Sequence, residues 1–392
     1  MLFSFAMMIL VGVLFAMIMR KVGLPNLLGY LLTGIILGPF VFNVIDTTTF
    51  QISSDIRQIA LMIILMRAGL SLQISDLKKV GSSALLMCFV PASFEILGLM
   101  ILAPIFLHLD LLNAAILGTV LAAVSPAVVV PLMLRLMDEG YGTKEGIPQL
   151  IMAGASMDDV YVIVLFTSLL TLAKSGEFNA LSLLRIPTSI LFGIVSGIVL
   201  GYVLCKLYRL LKLPTGIELA SMFAIGMVLI TIERIMTGMI GFSGLLAIMA
   251  LTATIRHIKP EMVDKYSAVL AKLWQPAEIF LFALVGASVR IDYALSFGPV
   301  VLVVIILALI FRMLGVYLSI MKTKLNMKER IFTMGAYLPK ATVQAAIGGL
   351  ALEAGLASGE LILTAAVTAI LFTAPLGAIF ISLTYRNFLQ KV

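Results

Sequence analysis

Long apolar runs separated by short polar turns are the dominant pattern of this chain. About 20 apolar residues suffice to cross a bilayer as a helix, and the pattern predicts an all-α polytopic membrane protein with about thirteen transmembrane helices. The predicted limits are 2–19, 24–43, 56–73, 82–107, 111–136, 148–173, 186–208, 217–235, 240–256, 270–289, 297–321, 330–353 and 361–385. This partition leaves no stretch for a soluble domain or a long linker.

Helix breakers interrupt the fifth and the twelfth predicted spans near their centres. The fifth contains GTVLAAVSPAVVVPLML, with Pro126 after Ser125, and the twelfth contains AYLPKATVQAAIGGLAL, with Pro339 before Lys340. Proline removes a backbone donor, and freed backbone at membrane depth is tolerated only where protein or a water-filled cavity satisfies it. Two interrupted helices of opposite orientation indicate an inverted repeat and a transporter's substrate site. No residue-level repeat between the halves accompanies them.

Two adjacent acids, Asp158 and Asp159, lie in the middle of the sixth span. A charge at the bilayer centre costs roughly 2.5–3.5 kcal/mol, so the pair indicates an ion or proton site. Burial and mutual repulsion favour protonation, while the same oxygens can bind a dehydrated monovalent cation. Successive helical residues point about 100° apart, so one acid is expected to face a cavity and the other a neighbouring helix. The alternative is a buried aspartate that caps a broken helix or binds a nearby serine.

The amino-acid composition excludes a soluble protein, and the distribution of positive charges predicts the membrane topology. The chain has 392 residues, of which 61% are hydrophobic and 12% charged, against about 25% charged in soluble domains. Most of the 27 lysines and arginines follow odd-numbered spans, and the positive-inside rule makes those loops cytoplasmic. We therefore expect a cell membrane protein with its N-terminus outside and its C-terminus in the cytoplasm. The net charge of +7 then reflects topology rather than nucleic-acid binding.

Cysteine and histidine chemistry offers no support for an enzyme or a metalloprotein. Cys88 and Cys205 fall inside apolar spans, and His108 and His257 lie near helix ends, so neither a disulfide framework nor a resident metal or cofactor is expected. An intramembrane aspartyl protease would need two aspartates on separate helices, whereas these are adjacent on one.

Five further charges inside or near the spans are candidates for a role. Lys340 follows the breaking proline and is expected to neutralise site carboxylates or helix-terminus dipoles. Glu95 and Arg312 are the sole central charges of their spans, have opposite signs, and predict a buried ion pair with a structural or gating role. Arg67 is a possible auxiliary residue or a snorkelling side chain. Glu278 is another central acid without an evident partner in the sequence.

Glycines at four-residue spacing predict close helix packing. Gly193, Gly197 and Gly201 lie in the seventh span, and Gly34 and Gly38 in the second. Small-xxx-small faces let helix backbones approach each other, either within one chain or at the interface of a homodimer.

Several motifs together resemble a known family. LPNLLGYLLTGIILGP (24–39), LMRAGLSL (65–72), VSPAVVVPLML (124–134), GIPQLIMAGASMDDV (146–160) and AYLPKATVQAAIGGLAL (336–352) are similar to those of the NHA group of sodium/proton antiporters, in the second cation:proton antiporter family. The resemblance covers nearly the whole chain in order, and the PKATVQAAIG string combined with SPAVVVP and an adjacent acid pair is highly specific.

This resemblance implies an NhaA-type inverted-repeat fold in which the two broken helices cross near the ion site. It implies a scaffold and dimerisation domain formed by residues 1–81 and 174–295. A core ion-transport domain formed by residues 82–173 and 296–392 would move against it like an elevator.

The resemblance also implies the site residues. The family's paired aspartates map to Asp158 and Asp159, where protons and Na+ would compete, with Asp159 the direct cation ligand. Ser125 and Lys340, beside the two breaking prolines, are our own further candidates for ion or proton binding. Thr342 and Gln344, in the same motif as Lys340, are possible auxiliary residues.

The resemblance further implies that Arg312 pairs with Glu95. Many bacterial relatives have a lysine in place of Arg312, and that lysine pairs with the first aspartate. The arginine leaves the proton stoichiometry open.

The sequence therefore predicts a non-enzymatic antiporter exchanging Na+ or Li+ for H+, acting in the lipid bilayer as a homodimer. A K+/H+ antiporter and a Na+-coupled organic-anion symporter of the same architecture remain alternatives, because no residue fixes the size of the cation.

Overall fold

The computed structural model describes residues 1–71, 82–175, 185–236 and 242–391, and its regular elements are helical. The helices are α1 Leu2–Lys21, α2 Asn26–Leu37, α3 Thr47–Gln51, α4 Ser53–Ser71, α5 Ser82–Met87, α6 Val90–Leu107, α7 Leu111–Ala122, α8 Pro126–Asp138, α9 Ile147–Ser175, α10 Arg185–Leu211, α11 Thr215–Met236, α12 Gly244–Ile258, α13 Val263–Ala287, α14 Ile291–Ile320, α15 Met327–Ala336, α16 Thr342–Ile347, α17 Leu350–Glu353 and α18 Gly359–Phe388. A 3-10 turn, Pro260–Met262, precedes α13. Within the described ranges, β structure is limited to one isolated bridge between Tyr141 and Lys391.

The helices have the length and apolarity of a membrane protein. In the part of the chain that the structure describes, eight helical segments are long and apolar enough to cross a membrane, and three shorter apolar helices accompany them. An all-helical membrane protein is therefore confirmed, while the count of about thirteen crossings stays a prediction.

Both predicted helix breaks are present. Residues 123–125 are extended between α7 and α8, and residues 337–341 separate α15 from α16. Pro126 occupies the first position of α8, where its missing N–H costs nothing. A further interruption at Gly348 and Gly349 separates α16 from α17, so the twelfth span, predicted as one broken helix, consists of three short pieces.

Two predicted spans end or divide where the sequence pattern gave no break. The second was expected to run to residue 43, but α2 ends at Leu37. Gly38 is extended because it precedes Pro39, and the residue before a proline avoids the helical region. The fourth span divides at Cys88 and Phe89, just before Pro91 in the first turn of α6.

The described chain forms two compact units. The first comprises residues 1–52, 74–166 and 279–392, and the second comprises residues 53–73 and 167–278. The predicted scaffold and core domains stay a prediction, because packing density does not report which helices move together. Their predicted boundary at residue 81 lies outside the described residues.

The glycine faces predicted from spacing pack within single units. In the second unit, a Cβ added at Gly193 or Gly201 would crowd the backbone of α12, and one at Gly197 would overlap the carbonyl oxygen of Ala247. In the first unit, a Cβ added at Gly34 would overlap the carbonyl oxygen of Ala283 in α13. These faces are thus occupied by intramolecular helix contacts.

A buried acid lies in the second unit. Glu218 is in the first turn of α11 and is only 3% exposed. Its carboxylate accepts a hydrogen bond from the Tyr266 hydroxyl and lies 3.4 Å from Nζ of Lys259. A buried carboxylate is tolerated when it is paired in this way.

The C-terminal segment of the first unit is attached to the loop that follows α8. The amide of Gly142 donates to the carbonyl oxygen of Gln390 at 2.8 Å. The Tyr385 hydroxyl donates to Oε2 of Glu139 at 2.9 Å, and Nε of Arg135 donates to Oε1 of the same carboxylate at 2.7 Å. This attachment fixes the end of α18 against the end of α8.

Candidate functional site

The two helix breaks meet inside the first unit. The amide of Ser125 donates to the carbonyl oxygen of Pro339 at 2.7 Å, so each break supplies a partner to the other. The amide of Lys340 donates to Oγ1 of Thr373 in α18 at 3.0 Å. Backbone amides left outside helical hydrogen bonding at the two breaks are thereby satisfied by protein, as membrane depth requires.

Three side chains cap the carbonyl end of the half-helix α7. Lys340 donates to the carbonyl oxygen of Leu121, Arg312 donates to that of Ala122, and Nε2 of Gln344 donates to that of Ala123 at 2.9 Å. The last carbonyls of a helix have no intrahelical donors and carry the negative end of its dipole. Two cations and an amide from distant spans therefore stabilise this helix end at membrane depth.

Arg312 connects both acidic spans. Nη2 donates to Oδ2 of Asp158 at 2.7 Å, and Nη1 donates to Oε2 of Glu95 at 2.9 Å. Nε donates to the carbonyl oxygen of Tyr337 at 2.8 Å. A guanidinium has five donors in a fixed fork, so it can bind these groups simultaneously. The structure thus contains the ion pair with Glu95 that the sequence suggested, and adds a second one with the first aspartate.

Lys340 forms its ion pair with Glu95. Nζ lies 2.7 Å from Oε1 and donates to Oε2 at 2.9 Å. Among the described side chains, Glu95 is the carboxylate that Lys340 binds. Lys340 also donates to the carbonyl oxygen of Leu121 at the end of α7, so it contacts both a carboxylate and a helix terminus. The sequence groups Lys340 with the ion and proton ligands, and that role stays a prediction; the contact that the structure gives is with Glu95.

The paired aspartates differ in their surroundings. Oδ2 of Asp158 accepts hydrogen bonds from Arg312 and from the amide of Val124 in the first break, the latter at 3.0 Å. Asp158 thus holds both Arg312 and the backbone of the first break, and its role in ion binding stays a prediction. Oδ1 of Asp159 is buried without a hydrogen-bond partner among the described residues, and the residue is only 6% exposed.

Other buried oxygens at the breaks also have no hydrogen-bond partner. Ser125 stands at the N-cap of α8 but makes no cap hydrogen bond, and its Oγ is buried and unpartnered. Oδ1 of Asp158 and Oε1 of Gln344 are likewise buried and have no hydrogen-bond partner among the described residues. Serine at an N-cap normally accepts from the first turn of its helix, and buried polar atoms are normally paired. These oxygens are the type of ligand that a hard monovalent cation requires.

Tyr337 is a component of the site that sequence reasoning missed. Besides its carbonyl contact, its ring lies 5.5 Å from the guanidinium carbon of Arg312. Its hydroxyl packs against Gly154, one turn before Asp158 in α9. A tyrosine two residues before the mid-membrane Pro339 was the available signal, because a polar ring at that position lies close to the break.

The remaining candidate residues lie elsewhere. Thr342 is buried in the first turn of α16. Arg67 and Glu278 belong to the second unit, where their charges attract each other. Arg67 is therefore an opposite charge close enough to attract Glu278, which the sequence did not reveal.

Comparisons with known proteins agree with this architecture. A family model described as sodium/hydrogen exchanger, transmembrane, matches residues 6–386. Sodium/hydrogen exchanger 9B2 from Homo sapiens is 36% identical over 385 residues, which covers 94% of this chain and 70% of that protein. Sodium/hydrogen exchanger 9B1 from Homo sapiens is 35% identical over 383 residues, covering 94% and 73%.

A solved structure shares the fold. The sodium proton antiporter MjNhaP1 from Methanocaldococcus jannaschii superposes with a TM-score of 0.82 at 20% sequence identity, covering 98% of this chain and 97% of that chain.

Proposed function

The chain belongs to the sodium/hydrogen exchanger family, as its motifs predicted, and on that premise we propose that it exchanges Na+ or Li+ for H+ at Asp158 and Asp159. It is an all-helical, multi-pass membrane protein with a cation/proton antiporter architecture. The proposal requires no resident metal or cofactor, since the cation and the proton are the substrates.

A charge imbalance at the breaks carries the proposal. Three carboxylates, those of Glu95, Asp158 and Asp159, accompany two cations, Arg312 and Lys340. Glu95 is paired with both cations and Asp158 with one, which leaves Asp159 as the acid without an assigned counter-charge. A charge buried this deeply is costly until it is neutralised. One proton or one monovalent cation suffices, so the two compete for the same carboxylate.

Unpartnered oxygens near the acids supply the rest of a cation site. Oγ of Ser125, Oδ1 of Asp158 and Oε1 of Gln344 are buried and accept nothing from protein. Together with Asp159 they form an oxygen-rich set suited to a hard cation. We assign Asp159 as the principal ligand and Ser125 as a secondary one.

Neutralisation would also permit movement. We propose that residues 82–173 and 296–392 form a core that carries the site past the scaffold of residues 1–81 and 174–295. An ionised Asp159 would resist passage through an apolar barrier, whereas its protonated or cation-bound form would not. A ligand shifts such an equilibrium only through its different interaction energy with the two states.

The proposal is tested with the purified protein in sealed liposomes that enclose a pH-sensitive dye. Sodium, lithium, potassium and choline are added in turn, and we expect sodium and lithium to move protons. Asp159→Asn should abolish the response, because its amide can neither bind a proton reversibly nor attract a cation. Asp264→Asn, a change at an exposed position of α13, is the matched control and should leave the response intact. Retained sodium-driven flux in Asp159→Asn would refute the site assignment.

The same assay separates the two alternative functions. A response to potassium alone, lost in Asp159→Asn, would identify a K+/H+ antiporter using the same site. No cation-driven proton movement would favour the Na+-coupled symporter and direct attention to organic anions.

A further inference from the structure

An apolar cavity of about 610 Å³ opens on the first unit, away from the helix breaks. It lies between the first half of α14 and the middle of α18, and Ile35 and Val289 close one side. Its volume falls within the roughly 300–1,000 Å³ range of small-molecule cavities. Its position is distinct from that of the acids and cations described above.

Small side chains create the space. Ala294 and Gly298 stand one turn apart on the α14 wall, and Thr364 and Thr368 stand one turn apart on α18. A Cβ added at Gly298 would have no heavy atom within 4 Å, so the protein leaves this volume unfilled. The two threonines are the only polar residues in the lining that the structure describes.

The dimensions match one leaflet of a bilayer. Along α14 the lining extends from Ile291 to Leu302, a distance of about 16 Å at 1.5 Å per residue. Half of a hydrocarbon core about 30 Å thick is about 15 Å.

A charged cluster marks one end of the cavity. Arg290, which is adjacent to the lining residues Val289 and Ile291, lies 2.8 Å from Asp292 and 3.4 Å from Glu360. These three exposed charges belong at the water boundary, so the cavity begins there and extends inward through one leaflet. Two carboxylates facing one guanidinium leave no excess positive charge for an anionic group.

We propose that this cavity binds one acyl chain of a membrane phospholipid. The lining continues onto the outer surface of α14, where Leu295 is 74% exposed and Val303 is also exposed. In a membrane-spanning chain such a surface faces lipid tails, which can enter the groove without crossing a polar barrier. The charged cluster at the end of the cavity has no excess positive charge to bind an anionic headgroup. The protein therefore recognises the lipid through its acyl chain.

Fluorescence quenching by brominated lipid tests this site without reference to transport. The chain has one tryptophan, Trp274, so a Trp274→Phe background removes the native signal. Phe372→Trp then places an aromatic probe of similar shape in the cavity wall. Phe192→Trp, at an exposed position of α10 in the second unit, is the matched control. The full chain in detergent is titrated with phosphatidylcholine bearing brominated acyl chains.

We expect saturable quenching at position 372 and only weak, non-saturable quenching at position 192. Gly298→Leu fills the cavity and should reduce the quenching at 372 several-fold. Gly216→Leu is the control, because a Cβ there also meets no neighbour within 4 Å but lies in the second unit. Ala294→Leu provides an independent filling variant should Gly298→Leu fail to elute as a folded protein.

Two outcomes would overturn the proposal. Equal quenching at positions 372 and 192 would mean ordinary contact with detergent-borne lipid. Quenching at 372 by aqueous iodide, with no effect of brominated lipid, would identify a water-filled cavity.

Discussion

At the scale of single residues, Arg312 joins four polar groups of the site. It is fully buried and binds Asp158, Glu95 and the carbonyl oxygens of Ala122 and Tyr337. Removing one member of a buried charge pair leaves an uncompensated charge and costs about 3–5 kcal/mol. Lysine cannot replace it, because a single ammonium cannot reach four partners in one plane.

We therefore expect Arg312→Gln to lower the free energy of unfolding by about 3–5 kcal/mol and Arg312→Lys to lower it by a smaller but measurable amount. Thermal unfolding of the detergent-solubilised protein measures both. Arg135→Lys is the control, since its pair with Glu139 is exposed and contributes roughly 0–1 kcal/mol. Equal stability of Arg312→Gln and Arg135→Lys would show that the buried network contributes little.

The sequence predicted the types of charge in the site better than their pairing. Asp158, Asp159, Glu95 and Arg312 were recognisable because central charges in apolar spans are expensive. The pairing of Lys340 with Glu95 was not predictable, because it depends on how helices far apart in the chain are rotated against each other. The attraction between Arg67 and Glu278 was not predictable for the same reason, because the two residues lie on helices far apart in the chain.

At the scale of elements, the positions of prolines and glycines determined which predicted helix breaks and helix ends were correct. Pro126 and Pro339 correctly located the two breaks, since a mid-helix proline removes a backbone hydrogen bond. The end of α2 before Pro39 was missed because hydrophobicity continues beyond it. Hydrophobic patterning reports burial in lipid, whereas helix ends depend on local backbone sterics.

The contact between α10 and α12 gives a test of element packing. Gly197→Ala introduces a Cβ that overlaps the carbonyl oxygen of Ala247, and overpacking of this kind costs about 1–3 kcal/mol. Gly216→Ala, at an open position in the same unit, should not destabilise the protein. The midpoint of thermal unfolding compares the two variants, and an equal midpoint would contradict the close packing.

The attachment of the C-terminal segment has a defined pH dependence. Hydrogen bonds from Arg135 and Tyr385 lower the pKa of Glu139 below its ordinary value of 4.5. A lowered pKa stabilises the attachment above that ordinary value, and the stabilisation is lost only as the pH falls through the folded value. We expect hydrogen-exchange protection of residues 385–391, corrected for intrinsic rates, to be equal at pH 7.5 and 5.5.

Glu139→Gln should reduce that protection at both pH values, because the charge paired with Arg135 is gone. Glu145→Gln, in the same loop but exposed, serves as the control. A loss of protection between pH 7.5 and 5.5 in the unmodified protein would assign the attachment to another group.

At the scale of the whole molecule, the charge imbalance predicts the stoichiometry that the sequence left open. Under the proposed mechanism, one uncompensated acid would hold either one proton or one sodium ion, so each cycle should exchange one for one. Such a cycle transfers no net charge, and its rate should not change when valinomycin and a potassium gradient impose a membrane potential. A rate that rises or falls with the potential would indicate a second titrating group, which the Asp158→Asn variant would locate.

The hydrogen bond between Ser125 and Pro339 also constrains the biogenesis of the protein. During synthesis, α7 and α8 enter the membrane long before the segment containing Pro339 and Lys340 leaves the ribosome. Until that segment arrives, the amide of Ser125 lacks its acceptor and the carbonyls of Leu121 and Ala123 lack their donors. A bilayer cannot provide these partners, and each unsatisfied group costs several kcal/mol. We therefore expect a chain truncated before residue 339 to leave the first break incompletely packed, and the late spans to complete the fold of the first half.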